Sequence, residues 1–355
     1  MKIPSQIIAQ YKTGNNTSRA LPGFPCGWFA VGFSRELPSG GILSRQFMGQ
    51  DVIVFRTTSG VVCTMDAFCP HMGAHFAYGG RVEGETIRCP FHGFCFDQRG
   101  DCVATGYGTK PPPTAKVRIL PSCEVNGMIL VYYDRSGQEP TWNVPGFDHT
   151  GWSSLAARSW TLRTHPQETT ENSVDIGHLT WVHGYQSLDI LTELVTEGPH
   201  LSVSYAMRRP AGLFGTSAGG LRAEFEIHVY GLGYSFVETR IPSHGLHTCQ
   251  MVCATPLDSE RIEMRVALTM EPLTQPQRIH PFLLLFPKAL LNKLISTLAF
   301  KAFLHDVQQD FIIWEHKRYI QPPALAEGDG PIGKYRQWVR QFYPQQHQYS
   351  GLGED

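Results

Sequence analysis

Two short segments constrain this chain more than any others. They are Cys69-Pro70-His71 and Cys89-Pro90-Phe91-His92, with 17 residues between His71 and Cys89. Each segment joins a thiol and an imidazole within one loop. Two such loops brought together offer a metal centre two sulfurs and two nitrogens, and a small β-domain with loops between its strands would place them so. Gly73 and Gly93 follow the two pairs, and glycine lets backbone approach a bound group closely. Tetrahedral zinc also accepts two Cys and two His. Zinc fingers, however, pair Cys with Cys and His with His, whereas both pairs here are mixed.

Mixed pairs of this kind are the ligand set of a Rieske [2Fe–2S] cluster, with two cysteines on one iron and two histidines on the other. Replacing two thiolates by neutral imidazoles lowers the negative charge of the centre. Its potential rises into roughly −150 to +300 mV. Amides of such loops can donate to the sulfides and tune that value. The chain is therefore expected to accept electrons and deliver them elsewhere.

At 355 residues the chain is long enough for two domains. The expected division is a flexible lead over residues 1–23, a cluster-bearing domain over 24–140 and a second domain over 141–355. A net charge of −1 gives no reason to expect nucleic acid as a partner. The cysteine count, nine, is odd, and the start MKIPSQIIAQYKTGNN has no apolar run of signal length. A reducing cytoplasm is the expectation. Cys26, Cys63, Cys95, Cys102, Cys123, Cys249 and Cys253 then read as small buried hydrophobes. The longest apolar stretch, from Pro281 to Leu304, is interrupted by Lys288, Asn292, Lys293 and Lys301. A spanning helix needs about 20 largely uncharged residues, so this is not one. It reads either as a core helix or as an amphipathic cap over a cavity, peripheral to a membrane, with Leu291 and Leu294 on the apolar side.

From Trp28 the pattern is β. Residues 51–56 and 61–65 flank the turn Thr57-Thr58-Ser59-Gly60 and read as a hairpin. Short strands continue to about Tyr133, and a Gly- and Pro-rich boundary spans Asp134–Pro145. Beyond it the pattern predicts a strand at 159–165 and a helix over 166–183. Strands follow at 201–207, 221–230, 234–241, 246–254 and 261–270, which suggests an antiparallel sheet. Helices are expected over 282–319 and near 332–342. The expected class is α+β.

The 166–183 helix carries a second constellation, Asn172, Asp175, His178 and His183. Asp175 and His178 are three apart and would share a helical face. With some distortion at the helix end, His178 and His183 can meet one metal. Two His and one carboxylate form the facial triad of non-haem Fe(II) oxygenases, which leaves positions open for O2 and substrate. The third ligand must come from elsewhere. Asp310, in Gln308-Gln309-Asp310-Phe311, is the choice, and Asp306, one turn earlier, is the competitor.

With both constellations in place, the chain resembles the Rieske non-haem iron oxygenases, in their terminal oxygenase (α) component, from about Trp28 to Tyr319. Several stretches are similar to the ketosteroid 9α-hydroxylase and cholesterol 7-desaturase branch. These are Pro111-Pro112-Pro113-Thr114-Ala115, Glu124–Ile129, Gly137–Pro145, His165–Glu168 and Asp310–Lys317. The resemblance implies a Rieske β-sandwich followed by a helix-grip domain, an antiparallel sheet with helices around an apolar cavity. It implies a steroid- or sterol-like substrate and an NAD(P)H-dependent, ferredoxin-type reductase. It also implies a head-to-tail homotrimer in which one subunit's cluster serves its neighbour's iron. Cys69, His71, Cys89 and His92 match the cluster ligands, and His178, His183 and Asp310 the mononuclear iron ligands. Asp175 matches the bridging carboxylate, holding the His178 ring by a hydrogen bond. Asn172 either helps hold that bridge or is simply a polar helix residue.

Hydroxylation, desaturation and O-demethylation share their iron chemistry, so the sequence does not separate them. An aromatic-ring dihydroxylase would make cis-diols instead. A Rieske electron carrier with an inert second domain would hold two irons per chain rather than three. Respiratory Rieske domains add a disulfide-linked Cys to each ligand loop. Here Cys95 lies three residues after His92, but Ala74 stands at the matching place after His71.

Overall fold

A computed structural model of the chain describes residues 23–209 and 220–343. The expected lead over 1–23 lies outside them, apart from Gly23. The first half holds β1 (Gly27–Phe33), β2 (Ile42–Phe47), β3 (Gln50–Arg56) and β4 (Val62–Asp66). The short strands β5 (Arg81–Glu83), β6 (Thr86–Arg88), β7 (Cys95–Phe96), β8 (Cys102–Ala104) and β9 (Ile119–Leu120) follow, then β10 (Ser122–Val125) and β11 (Met128–Tyr133). They form three antiparallel sheets, ordered β1-β11-β10, β2-β3-β4-β9 and β5-β6-β7-β8. The expected hairpin is β3–β4, with Ile53 opposite Met65 and Phe55 opposite Cys63. These side chains are buried in one core, and Val52 and Val54, on the opposite face of β3, are buried in another with Phe29, Phe47 and Ile129.

The second half is built on one seven-stranded antiparallel sheet. Its strands are β12 (Ala156–Leu162), β13 (Gln186–Glu197), β14 (His200–Arg209), β15 (Leu221–Tyr230), β16 (Tyr234–Ile241), β17 (Leu246–Pro256) and β18 (Ile262–Met270). The order is β12-β18-β17-β16-β15-β14-β13. Strands β13 to β18 therefore run as a simple meander, while β12 sits at the far edge. To get from β12 to β13 the chain must cross the whole sheet. It does so through α1 (Pro166–Glu171) and α2 (Ile176–Trp181), which carry Asn172, Asp175, His178 and His183 over one face. After β18 the long helix α3 (Lys288–His316) packs on β12 and β18, and α4 (Ile332–Val339) closes the described fold. The other face of the sheet receives the first half. Trp28, Met128, Leu130 and Tyr132 share a core with Phe236, Met251, Cys253 and Ala267.

Four elements differ from the sequence expectation. The helix over 166–183 is broken, and Asp175 starts its second piece as an N-cap, with Oδ1 accepting from His178 N. The loop at 328–330 braces the break, with Ile176 N donating to Asp329 O at 3.2 Å. A Cβ on Gly330 would come within 2.3 Å of Val174 O. The expected strand at 159–165 lies at 156–162, and β13 was not foreseen. The 282–319 helix begins as a 3₁₀ turn over Pro281–Leu285 and restarts after Pro287 as α3, which ends at His316. Of the seven non-ligand cysteines, Cys102 and Cys123 are only partly buried.

Candidate metal centres

In the first half the two ligand loops have the same backbone frame. Cys69 N donates to Ala74 O and Gly73 N to Cys69 O; Cys89 N donates to Phe94 O and Gly93 N to Cys89 O. Both glycines adopt positive φ, +74° and +68°, where a Cβ is strained. The loops face each other across a space bounded by the buried thiols of Cys69 and Cys89 and by the His71 and His92 rings, whose centroids are 4.7 Å apart. Phe94 stacks on His71 at 4.2 Å and fixes its plane. Burial, with the hydrogen-bonded Cys89 thiol beside it, pushes the Cys69 thiol up to about 12. Two buried thiols in contact are a poor arrangement without a cation, and a metal deprotonates them. His92 Nδ1 is buried and has no hydrogen-bond partner among the described residues, which an imidazole nitrogen tolerates when it is a metal ligand. The donor set fits a Rieske cluster.

The second centre lies on the inner face of the seven-stranded sheet. His178, His183 and Asp310 each offer one ligand atom, all within 4.8 Å of one another. His183 Nε2 is 3.6 Å from Asp310 Oδ2. Each imidazole is oriented through its other nitrogen. His178 Nδ1 lies 2.5 Å from the Asp175 backbone carbonyl, and His183 Nδ1 lies 2.8 Å from Gln309 Oε1. In both cases Nδ1–H donates and Nε2 is left for a metal, the arrangement that fixes tautomer and ring plane in metal sites. Gly184, with φ +71°, turns the chain just after His183. This is the helix-end distortion that brings the two rings together.

Asp175 does not hold the His178 ring through its carboxylate. It is the N-cap of α2, with Oδ1 accepting from His178 N at 3.1 Å, and the ring nitrogen stands 3.8 Å from that oxygen. Burial pushes the Asp175 carboxyl up, but the nearby His178 ring, the His178 backbone N–H and the Lys317 charge outweigh it and hold it below the usual range. Asn172 does not reach Asp175 either; its Oδ1 accepts from Trp314 Nε1 at 3.4 Å and its side chain faces the cavity. Asp306 is engaged elsewhere. Arg209 Nη2 donates to its Oδ1 at 2.7 Å and Tyr185 Oη to its Oδ2 at 3.1 Å. For His183, burial lowers the pKa, but Asp310 and Gln309 raise it more, so the metal-free ring holds a proton more tightly than usual.

A cavity of about 180 Å³ opens onto the triad, and Met207, Phe225, Val237, Val252, Phe303 and Trp314 give it apolar walls. Two charged pairs anchor the ligand-bearing crossover. Lys317 Nζ lies 2.7 Å from Glu168 Oε2, and Arg336 makes a two-pronged contact with Glu171 at 2.6 and 2.9 Å. Gln309, Tyr185, Arg209 and these pairs were not anticipated. Only Gln309 had a hint in sequence, as a polar neighbour of Asp310.

Comparison with known proteins agrees with this geometry. Residues 27–120 match the Rieske [2Fe-2S] domain, and residues 131–343 match the 3-ketosteroid 9alpha-hydroxylase C-terminal domain. Cholesterol 7-desaturase from Xenopus laevis is 30% identical, over 96% of this chain and 78% of that protein. The oxygenase component of 3-ketosteroid-9-alpha-monooxygenase from Rhodococcus rhodochrous is 27% identical, over 90% and 81%. Among solved structures, NdmA from Pseudomonas putida with caffeine superposes with TM-score 0.68 at 16% identity, over 88% of this chain and 89% of that one. Dicamba monooxygenase bound to 3,6-dichlorosalicylic acid gives 0.68 at 17%, over 91% and 98%. Two iron-binding halves on this fold, matched along nearly their whole length, make this chain a member of the Rieske non-haem iron oxygenases with the 3-ketosteroid 9alpha-hydroxylase type of catalytic domain, an oxidoreductase that works with a separate reductase.

Proposed function

We propose that this chain is a terminal oxygenase that hydroxylates, desaturates or demethylates a bulky, steroid- or sterol-like substrate. Its electrons come from an NAD(P)H-dependent, ferredoxin-type reductase. The observation that carries the reading is the apolar cavity opening onto His178, His183 and Asp310. In this reading Cys69, His71, Cys89 and His92 hold the [2Fe–2S] cluster, and His178, His183 and Asp310 hold Fe(II). Bound iron supplies O2 activation and hydrogen abstraction from an unactivated C–H bond. The chain's own residues decide which bond is presented. Phe225, Val237, Val252 and Phe303 enclose the skeleton and exclude water, and positioning then sets regiochemistry. Gln309 and the Asp175 carbonyl keep both imidazoles aimed at one point. Asn172 holds Trp314 against the cavity wall.

Residues 24–140 and 141–355 are the proposed domains. The proposed assembly is a head-to-tail homotrimer, and the fold supports it. The first half packs on one face of the seven-stranded sheet and the ligand triad lies on the other. Around the cluster loops Met72, Phe91 and Tyr107 are exposed, and beside His178 so is Trp181, at 89%. Two apolar rims, one at each centre, suit contact between copies. The proposed location is cytoplasmic, with peripheral contact at a membrane. No described helix is long and apolar enough to cross one, but Phe282, Leu284, Leu285, Phe286, Leu290 and Leu294 are exposed, near Lys288 and Lys293.

Oxygen uptake by the reconstituted enzyme should be screened against sterols, ketosteroids, polyketide-like lipids and arenes, with mass analysis of products. Sterols or ketosteroids should stimulate uptake and yield a mono-alcohol, alkene or demethylated product. Stimulation by arenes alone, with cis-diol products, would replace this reading.

A further inference from the structure

One polar group in the cavity is committed neither to the metal ligands nor to an ion pair. On the cavity face of the sheet, Thr248, Gln250 and Val252 of β17 stand opposite Thr239, Val237 and Ser235 of β16. Gln250 Nε2 lies 3.2 Å from Thr239 Oγ1 and 3.2 Å from Thr248 Oγ1. Both threonines are buried. A carboxamide nitrogen has two hydrogens, and the two threonines take both. Gln250 Oε1 accepts no hydrogen bond among the described residues, and Gln250 lines the cavity.

Most other polar liners are already occupied. Thr169 Oγ1 donates to Pro166 O, Thr170 Oγ1 to Leu232 O and Ser235 Oγ to Val252 O. Tyr185 and Asp306 hold each other. Asn172 and Ser173 sit in the ligand-bearing break. Among the described residues, Gln250 Oε1 is thus a carbonyl-type acceptor left without a donor on a largely apolar sheet floor.

We propose that Gln250 reads the oxygen substituent of the substrate and selects an alcohol over the corresponding ketone; this rests on the sterol-like reading above. A hydroxyl donates to Oε1 and satisfies it. A ketone has no donor, so two carbonyl oxygens would face each other and both stay unpaired. A site built around a substrate hydroxyl discriminates strongly against an analogue that cannot supply the proton, because a buried unpaired group costs more than the bond itself contributes. Thr239 and Thr248 are positioning residues, since both hold Nε2 along the strand and leave Oε1 to the cavity.

The probes are 5α-cholestan-3β-ol and 5α-cholestan-3-one, which differ only at C3 and its oxygen. Their binding to the assembled holoenzyme is read by tryptophan fluorescence, with kcat/KM alongside. The wild type should bind the alcohol about tenfold more tightly. Gln250→Leu should erase the preference by weakening the alcohol alone, with melting temperature and iron content unchanged. Thr239→Val combined with Thr248→Val frees the amide to turn over, and should erase the preference with Gln250 still present. Equal binding by the wild type, a ketone preference, or an alcohol preference that survives Gln250→Leu each overturns the inference and leaves the sterol reading standing. If neither probe binds, the sterol reading falls and takes this inference with it.

Discussion

Asp175 performs its roles with separate atoms. Its backbone carbonyl takes the His178 ring proton and its Oδ1 caps α2, which leaves Oδ2 without a protein donor among the described residues. Asn caps helices as well as Asp does. Asp175→Asn should therefore keep the helix start and all three irons per chain, while coupled turnover falls by about 10–100-fold through loss of the charge beside His178. Full activity with complete metal content would dismiss a bridging role. Asp306 and Asp310 of α3 make a second comparison. Asp310→Ala should lose the mononuclear iron and keep the Rieske absorbance. Asp306→Ala breaks contacts to Arg209 and Tyr185 and should retain iron. The reverse result would move the third ligand by one helical turn.

At the scale of elements, α3 separates two readings that its apolar sequence blurred. Leu291 is 3% exposed and packs with Met270, Leu273 and Ile295, whereas Leu294 is 51% exposed. Leu291→Gln should destabilise the protein by about 2–4 kcal/mol, as burying an amide in place of a core leucine does. Leu294→Gln should leave the melting temperature within about 2 °C and weaken binding to anionic liposomes. Unchanged liposome binding would remove the membrane contact. Strands β14 to β18 were legible in the sequence because their strand-like runs are separated by turn signals. β13 was not, since most of Gln186–Glu197 is exposed and an exposed edge imposes no alternation. The ligand candidates were legible from residue type and spacing. The break at 172–175 was not, because it depends on a loop 150 residues later, through Asp329. Gln309 and Gln250 act through contacts that only the fold creates, although a Gln at an inward position of β17 is a faint signal.

In the molecule as a whole, the two halves are joined by a buried cation. A β-bulge in β1 between Ala30 and Gly32 leaves carbonyls facing the catalytic sheet. Arg265, 2% exposed, donates to Ala30 O at 2.6 Å and Val31 O at 2.9 Å, and Thr255 Oγ1 donates to Ala30 O as well. Arg265→Leu would leave the paired Glu263 carboxylate without its donor and remove one of two donors from each carbonyl, with Arg45 Nε still on Val31 O and Thr255 Oγ1 on Ala30 O. It should cost about 3 kcal/mol, seen as one lowered unfolding transition for both halves. Two separate transitions would show instead that the halves melt independently. The seating of the first half on the sheet face away from His178, His183 and Asp310 has a genetic consequence. If each cluster serves a neighbour, a chain broken at one centre can be repaired by a chain broken at the other. Co-expression of Cys89→Ala with Asp310→Ala, each inactive alone, should restore about a quarter of wild-type turnover, since random mixing makes one subunit contact in four productive. Two dead alleles would then complement within one gene product, and failure to do so in verified mixed oligomers would mean that each chain feeds its own iron.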